Sequence, residues 1–156
     1  MRTDDAAGML ALRRLTGDAR FARDVEVVEG ETLGLDLLHS VYGVSHLLVL
    51  DAVDTGASPG TLTRFQGQEV TDLPTSRSVH LLGLSDLINV LRLMDAPAIE
   101  IVLLGVQPES TEWGTVLTTA VEAAQEEMVE GALAQLAHWR AVSGDAANSV
   151  RELVAP

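Results

Sequence analysis

The chain has 156 residues, 23 acidic side chains against ten basic ones and a formal net charge of -13, so its surface repels phosphate backbones and a nucleic-acid partner is not expected. It has no Cys, and all its basic residues are Arg, which excludes disulfides, thiolate metal sites, a cysteine nucleophile, a P-loop or Schiff-base lysine and a Ser-Lys dyad. Hydrophobic residues make up 47%, enough for one domain with a substantial core, and neither a run of about 20 apolar residues nor a secretory leader is visible, so a cytoplasmic protein without membrane contact is expected.

In chain order, Thr3-Asp4-Asp5 opens a first helix that runs to about Leu15 and stops at Gly17. Thr3 is read as its N-cap, and the two acids suit the positive end of the helix dipole. Val25 to Val28 is a short strand. A second helix carries Leu33, Leu35, Leu37, Leu38 and Val41 and ends near Gly43. His39 and His46 read as structural or surface residues, because neither has an acid or a second His at ligand spacing.

Leu47-Leu48-Val49-Leu50 is a continuous apolar run that stops at Asp51, the pattern of a strand buried on both faces. Pro59-Gly60 turns into an edge strand over Thr61 to Phe65, and 67–78 lacks periodicity and reads as a loop. His80 stands at the far end of that loop, before a third helix over Ser85 to Met94. Ile99 to Val106 is a second buried strand. The last helix starts near Thr118 or Thr119, with Thr119 and Glu122 at capping-box spacing. Its apolar stripe is Leu117, Val121, Ala124, Met128, Leu136 and Trp139, and Glu122, Glu126, Glu127 and Glu130 form a solvated face. Residues 1–142 read as a single domain and 143–156 as a loosely ordered tail.

Alternating buried strands and helices imply a three-layer α/β fold, a mostly parallel twisted sheet with helices on both faces. In such a sheet strand ends and the following helix starts share an edge, where ligands gather. Asp5, Asp51 and His80 fall on that edge. Two carboxylates and an imidazole can serve a divalent metal, nickel among others. Each also has a plain alternative: Asp5 as dipole complement, Asp51 as strand cap, His80 as a solvated loop residue.

At these residues the sequence resembles the hydrogenase maturation proteases, which process nickel–iron hydrogenase large subunits. The resemblance lies in Thr3-Asp4-Asp5-Ala6-Ala7-Gly8, Gly34-Leu35-Asp36-Leu37-Leu38, Leu48-Val49-Leu50-Asp51-Ala52-Val53, Pro59-Gly60-Thr61, Ser78-Val79-His80-Leu81-Leu82-Gly83-Leu84 and Leu104-Gly105-Val106-Gln107-Pro108-Glu109. The series covers nearly the whole chain in order. It implies a phosphorylase/hydrolase-like fold and an endopeptidase that removes a C-terminal extension from the large-subunit precursor after nickel insertion. It also implies that Asp5, Asp51 and His80 act as the catalytic, metal-contacting set. Nickel would arrive in the substrate rather than reside in the protease, which is expected to work as a monomer.

In two respects the sequence departs from the family: Ala6 stands where the family often has Gly, and the start of the chain differs. Met1-Arg2 stands where the family has an apolar strand and a Gly-x-Gly-Asn turn, so the sheet is expected to lack its first strand and to leave an unpaired edge. Two other readings follow: a noncatalytic relative that docks on the hydrogenase subunit, or a flavodoxin-like small-molecule binding domain. The absence of a phosphate-binding glycine loop counts against the last.

Overall fold

The computed structural model describes residues 3–28, 37–74, 79–96, 98–114, 116–143 and 152–155; for 79–82, 143 and 152–155 the description is of the backbone. A single 3-10 turn, Asp4–Ala6, leads directly into α1, Ala7–Gly17. Then follow β1, Glu26–Val27; α2, Leu38–Val41; β2, His46–Ala52; β3, Leu62–Gln66; and α3, Gln68–Asp72. The chain continues through α4, Val79–Leu93; β4, Glu100–Val106; α5, Thr119–Ser143; and β5, Glu152–Ala155.

The five strands form one sheet in the order β1-β5-β2-β4-β3. β2 and β4 run parallel in a seven-residue register from His46↔Glu100 to Ala52↔Val106. β3 closes one edge antiparallel to β4. Alternate residues of the two central strands feed two apolar layers. Leu48, Leu50, Ala52, Val102, Leu104 and Val106 join α1 and α5 on one face. Leu47, Val49, Ile101 and Leu103 join Val41 of α2, Val70 of α3 and Leu84, Leu87, Ile88 and Leu91 of α4 on the other. A strand with helices on both sides must be apolar on both faces, which is why β2 and β4 lack the alternation of a half-solvated strand.

The three-layer α/β arrangement agrees with the sequence, and several details do not. The expected unpaired edge is filled. Among the described residues no strand precedes α1, but β5 lies between β1 and β2, parallel to both. Its register runs from His46↔Glu152 to Val49↔Ala155 on β2, with Leu153 and Val154 opposite Glu26 and Val27 of β1. The tail reading of 143–156 therefore fails at 152–155: a four-residue segment carries too little periodicity to be recognised alone, and its pairing is with residues about a hundred positions away.

The stretch from 67 contains α3, whose single apolar anchor, Val70, is buried; one buried residue in a polar segment gives no period. Helix α4 begins at Val79, six residues before the expected start. Thr3 makes no N-cap bond, and its hydroxyl donates instead to the Ser110 and Glu112 carbonyls. Glu122 lies on the exposed face of α5 and pairs with Arg14 of α1 rather than with its own helix start. Of the second helix, only Leu38–Val41 falls within the described residues as helix, and Leu33, Gly34, Leu35 and Asp36 lie outside them.

Trp139 of α5 is buried against the opposite, amino-terminal edge of the sheet. Its Nε1 donates to Glu100 Oε1 at 2.7 Å, and its ring lies 4.8 Å from that of His46. His46 is thus a packing residue remote from the strand ends that carry the site. Among the described residues no helix is long and apolar enough to cross a membrane.

Candidate active site

The carboxyl end of β2 is buried to its last residue. Asp51 is 2% exposed, and its Oδ1 accepts the Ala52 amide at 2.8 Å. A buried carboxylate needs donors of this kind, because burying it without them is costly. Its neighbour in register on β4 is Gly105. A Cβ there would stand 2.9 Å from Val53 Cγ2, so the glycine leaves room for the chain as it turns away from the sheet.

Helix α1 starts directly on this strand end. A Cβ added to Gly8 would lie 2.0 Å from the Leu50 carbonyl oxygen and 3.2 Å from the Asp51 Cα. Only glycine permits so close an approach of helix and strand. Asp5 stands three residues before Gly8, in the 3-10 turn that leads onto this contact. Asp5 is half-buried there.

Asp4 has a different part from its neighbour. It is fully buried and gathers the loop that follows β4. Its Oδ2 accepts the amides of Glu109 and Ser110, each at 2.9 Å, and the Thr118 hydroxyl at 3.0 Å, while its Oδ1 accepts the Thr118 amide at 2.9 Å. Burial pushes the Asp4 carboxyl up, and these donors from Thr118, Ser110 and Glu109 together outweigh it, so its pKa lies below the ordinary value.

Gln107 performs the matching task for the loop after β2. Its Oε1 accepts the Thr55 amide at 2.7 Å, the Thr55 hydroxyl at 3.0 Å and the Ala57 amide at 3.2 Å. Its Nε2 donates to Asp54 Oδ1 at 3.0 Å and to the Pro108 carbonyl at 3.2 Å. The loop after β2 is therefore tied to the end of β4, and the loop after β4 to the start of the first helix.

His80 lies in the first turn of α4, not in a loop. The far end of α4 meets the start of β4, where Leu91, Ile99 and Ile101 line one cleft. The first turn of a 15-residue helix is about 20 Å from its last, so the His80 backbone lies well away from that cleft. Among the described residues no three His, Asp or Glu side chains are grouped to hold a metal, and the His80 side chain is not one of those described.

The sequence model of the hydrogenase maturation proteases (HycI) matches residues 9–135. The chain belongs to this family. It is 33% identical over 139 residues to the hydrogenase expression/formation protein HoxM of Cupriavidus necator, covering 87% of this chain and 69% of that one. It is 36% identical over 136 residues to the hydrogenase 2 maturation protease of Escherichia coli, covering 86% and 83%. Among solved structures, the hydrogenase maturating endopeptidase HybD from E. coli superimposes with a TM-score of 0.80 at 32% identity, covering 88% of this chain and 86% of that one. The HybD maturation protease from Thermococcus kodakarensis gives 0.71 at 27%, covering 88% and 92%. This hydrogenase maturation protease is thus an α/β peptidase by sequence and by fold.

Two residues of the site were not read from sequence. From the sequence Asp4 reads only as a dipole complement beside the candidate Asp5; its long-range donors are what set it apart. Gln107 lay inside a recognised segment, Leu104-Gly105-Val106-Gln107-Pro108-Glu109, without a role. A Gln directly after a buried strand, followed by Pro, is the available signal: such a residue leaves the sheet with donors and acceptors to place.

Proposed function

We propose that this protease removes the C-terminal extension of a nickel–iron hydrogenase large-subunit precursor once nickel has been inserted. Asp5, Asp51 and His80 are the side chains that meet the nickel held by the substrate. Cleavage adds water across one amide bond: hydroxide goes to the scissile carbonyl carbon and a proton to the departing amine. The metal in the substrate positions or polarises the reacting groups, and the two carboxylates supply the negative charge that draws it to this edge. The chain has no Cys and no Lys to act as a nucleophile, in keeping with a hydrolysis that forms no thioester or Schiff base.

The observation that carries this reading is the contact of Gly8 with Leu50 and Asp51, which joins the first acidic segment to the end of β2. It supports a shared edge for two acids 46 positions apart in sequence. The test is incubation with purified large-subunit precursor, nickel-loaded or nickel-free, followed by mass spectrometry. Shortening of the nickel-loaded form alone is expected. Stable complex formation without shortening would mean a docking protein instead, and equal cleavage of both forms would remove the metal from the mechanism.

A further inference from the structure

The loop between β4 and α5, residues 107–118, holds two large apolar side chains out in solvent: Trp113 is 82% exposed and Val116 74%. An indole in water leaves a large apolar surface unburied, and tryptophan is the residue most enriched where one protein anchors to another. The loop that presents it is tied down. Besides the four hydrogen bonds to Asp4, the Thr3 amide donates to the Glu112 carbonyl at 2.9 Å and the Thr3 hydroxyl to the Ser110 carbonyl at 2.9 Å. Gly114 sits so close to Thr3 that a Cβ would come within 2.3 Å of Thr3 Cγ2. The residue after this clamp is Asp5, so Trp113 is held on the same edge as the proposed site. A loop backbone already tied down loses little further freedom on binding.

Charge specifies the partner. Glu109 and Glu112 in this loop are exposed, and 107–118 contains no Arg or His. A second copy of a chain carrying a net charge of -13 would bring like charges together here, whereas a basic-rimmed surface would not. We propose that Trp113 is the docking anchor of the protease: it enters an apolar pocket, rimmed by Arg and Lys, on the large-subunit precursor. This inference rests on the proposed function above and adds the surface by which the substrate is chosen.

Trp113→Ala should leave the melting temperature unchanged, because the side chain is in solvent. It should raise KM for nickel-loaded precursor about tenfold or more and lower kcat by much less. Binding can be read without cleavage. The only other tryptophan, Trp139, is 1% exposed, so acrylamide-quenchable emission comes from Trp113. Addition of precursor should protect that emission. Glu109→Gln with Glu112→Gln should weaken binding at low salt and flatten its salt dependence. If wild-type chain processes precursor while Trp113→Ala binds and cleaves equally well, or if Trp113 stays quenchable in the complex, the anchor is refuted and the proposed function stands. If the chain alone protects Trp113 as its concentration rises and sediments as a dimer, the surface belongs to self-association and the anchor is again refuted. If wild-type chain neither binds nor shortens any precursor, the proposed function itself fails.

Discussion

Asp4 takes the Thr118 amide on one carboxylate oxygen at 2.9 Å and the Thr118 hydroxyl on the other at 3.0 Å, across 114 residues of sequence. With the Glu109 and Ser110 amides it forms a clamp between the start of the chain's first helix and the start of its last. All four partners donate, so the carboxylate must be an acceptor on both oxygens.

Asp4→Asn tests that clamp. The amide NH2 would face at least one of the donors, leaving it unpaired in a buried place. A loss of about 1.5–3 kcal/mol is expected, the usual range for a hydrogen bond to a charged group. The pKa of Asp4 is lowered in the folded state. Its contribution is therefore fully present above the ordinary carboxyl value and is lost as pH falls through the lower folded value. Urea melts at pH 7 should separate wild type from Asp4→Asn, and the gap should narrow below about pH 4. A constant gap down to pH 2 would show that charge has no part in it.

Gly8→Ala is the second test. Alanine normally favours a helix over glycine, by about 1 kcal/mol. Here its Cβ would meet the Leu50 carbonyl at 2.0 Å, and backbone cannot swing aside as a flexible side chain can. Destabilisation of about 1–3 kcal/mol is expected, with loss of precursor cleavage, since helix α1 must move off the end of β2. A gain in melting temperature would mean that the close approach is not kept in solution.

The central strands, the edge strand and the last helix were legible because each carries its own local pattern. Leu47 to Leu50 and Ile101 to Leu104 are apolar runs, and Val121, Ala124, Met128, Leu136 and Trp139 keep helical spacing. The buried end at Asp51 was legible for the same reason: an acid after four apolar residues marks where the sheet stops. What could not be read depends on pairing at a distance. Nothing near Glu152 says that it lies opposite His46, and nothing near Asp4 says that Thr118 will reach it. The joining of the Asp5 and Asp51 segments was inferred from topology, while the reason for it, the bare backbone of Gly8, needs the coordinates.

Asp51→Asn separates the chemical from the structural use of the strand end. Asparagine keeps a carbonyl oxygen for the Ala52 amide, so the melting temperature should stay within a few degrees of wild type. On the proposed function, processing of nickel-loaded precursor should fall sharply, because the negative charge assigned to meet the nickel is gone. His80→Ala should likewise abolish processing with a stability change of about 0.5 kcal/mol or less, since alanine suits the first turn of α4 well. Either variant that cleaves at the wild-type rate drops out of the site.

The final prediction concerns β5. Its register on β2 ends at Val49↔Ala155, one residue before Leu50, whose carbonyl meets Gly8 at the start of α1. The strand therefore ends beside the helix start, where a strand leading into α1 would end, and it fills the place between β1 and β2 from the opposite end of the described chain. Removing residues 144–156 takes away its parallel ladders to β2 and β1 together. Several backbone hydrogen bonds at about 0.5–1.5 kcal/mol each go with it, so a loss of roughly 2–4 kcal/mol is expected, a large part of the 5–15 kcal/mol of a typical domain. The freed side of β2 is then an open edge, and the shortened chain should aggregate on warming. Val154→Pro should have a similar effect in the intact chain, since it removes a ladder donor between two neighbours. A synthetic peptide of residues 150–156 should restore the melting temperature of the shortened chain in proportion to the logarithm of its concentration, as a ligand of the folded state does. A shortened chain that melts as sharply and as high as the full one, and that ignores the peptide, would show that β1 and β2 do not depend on this strand.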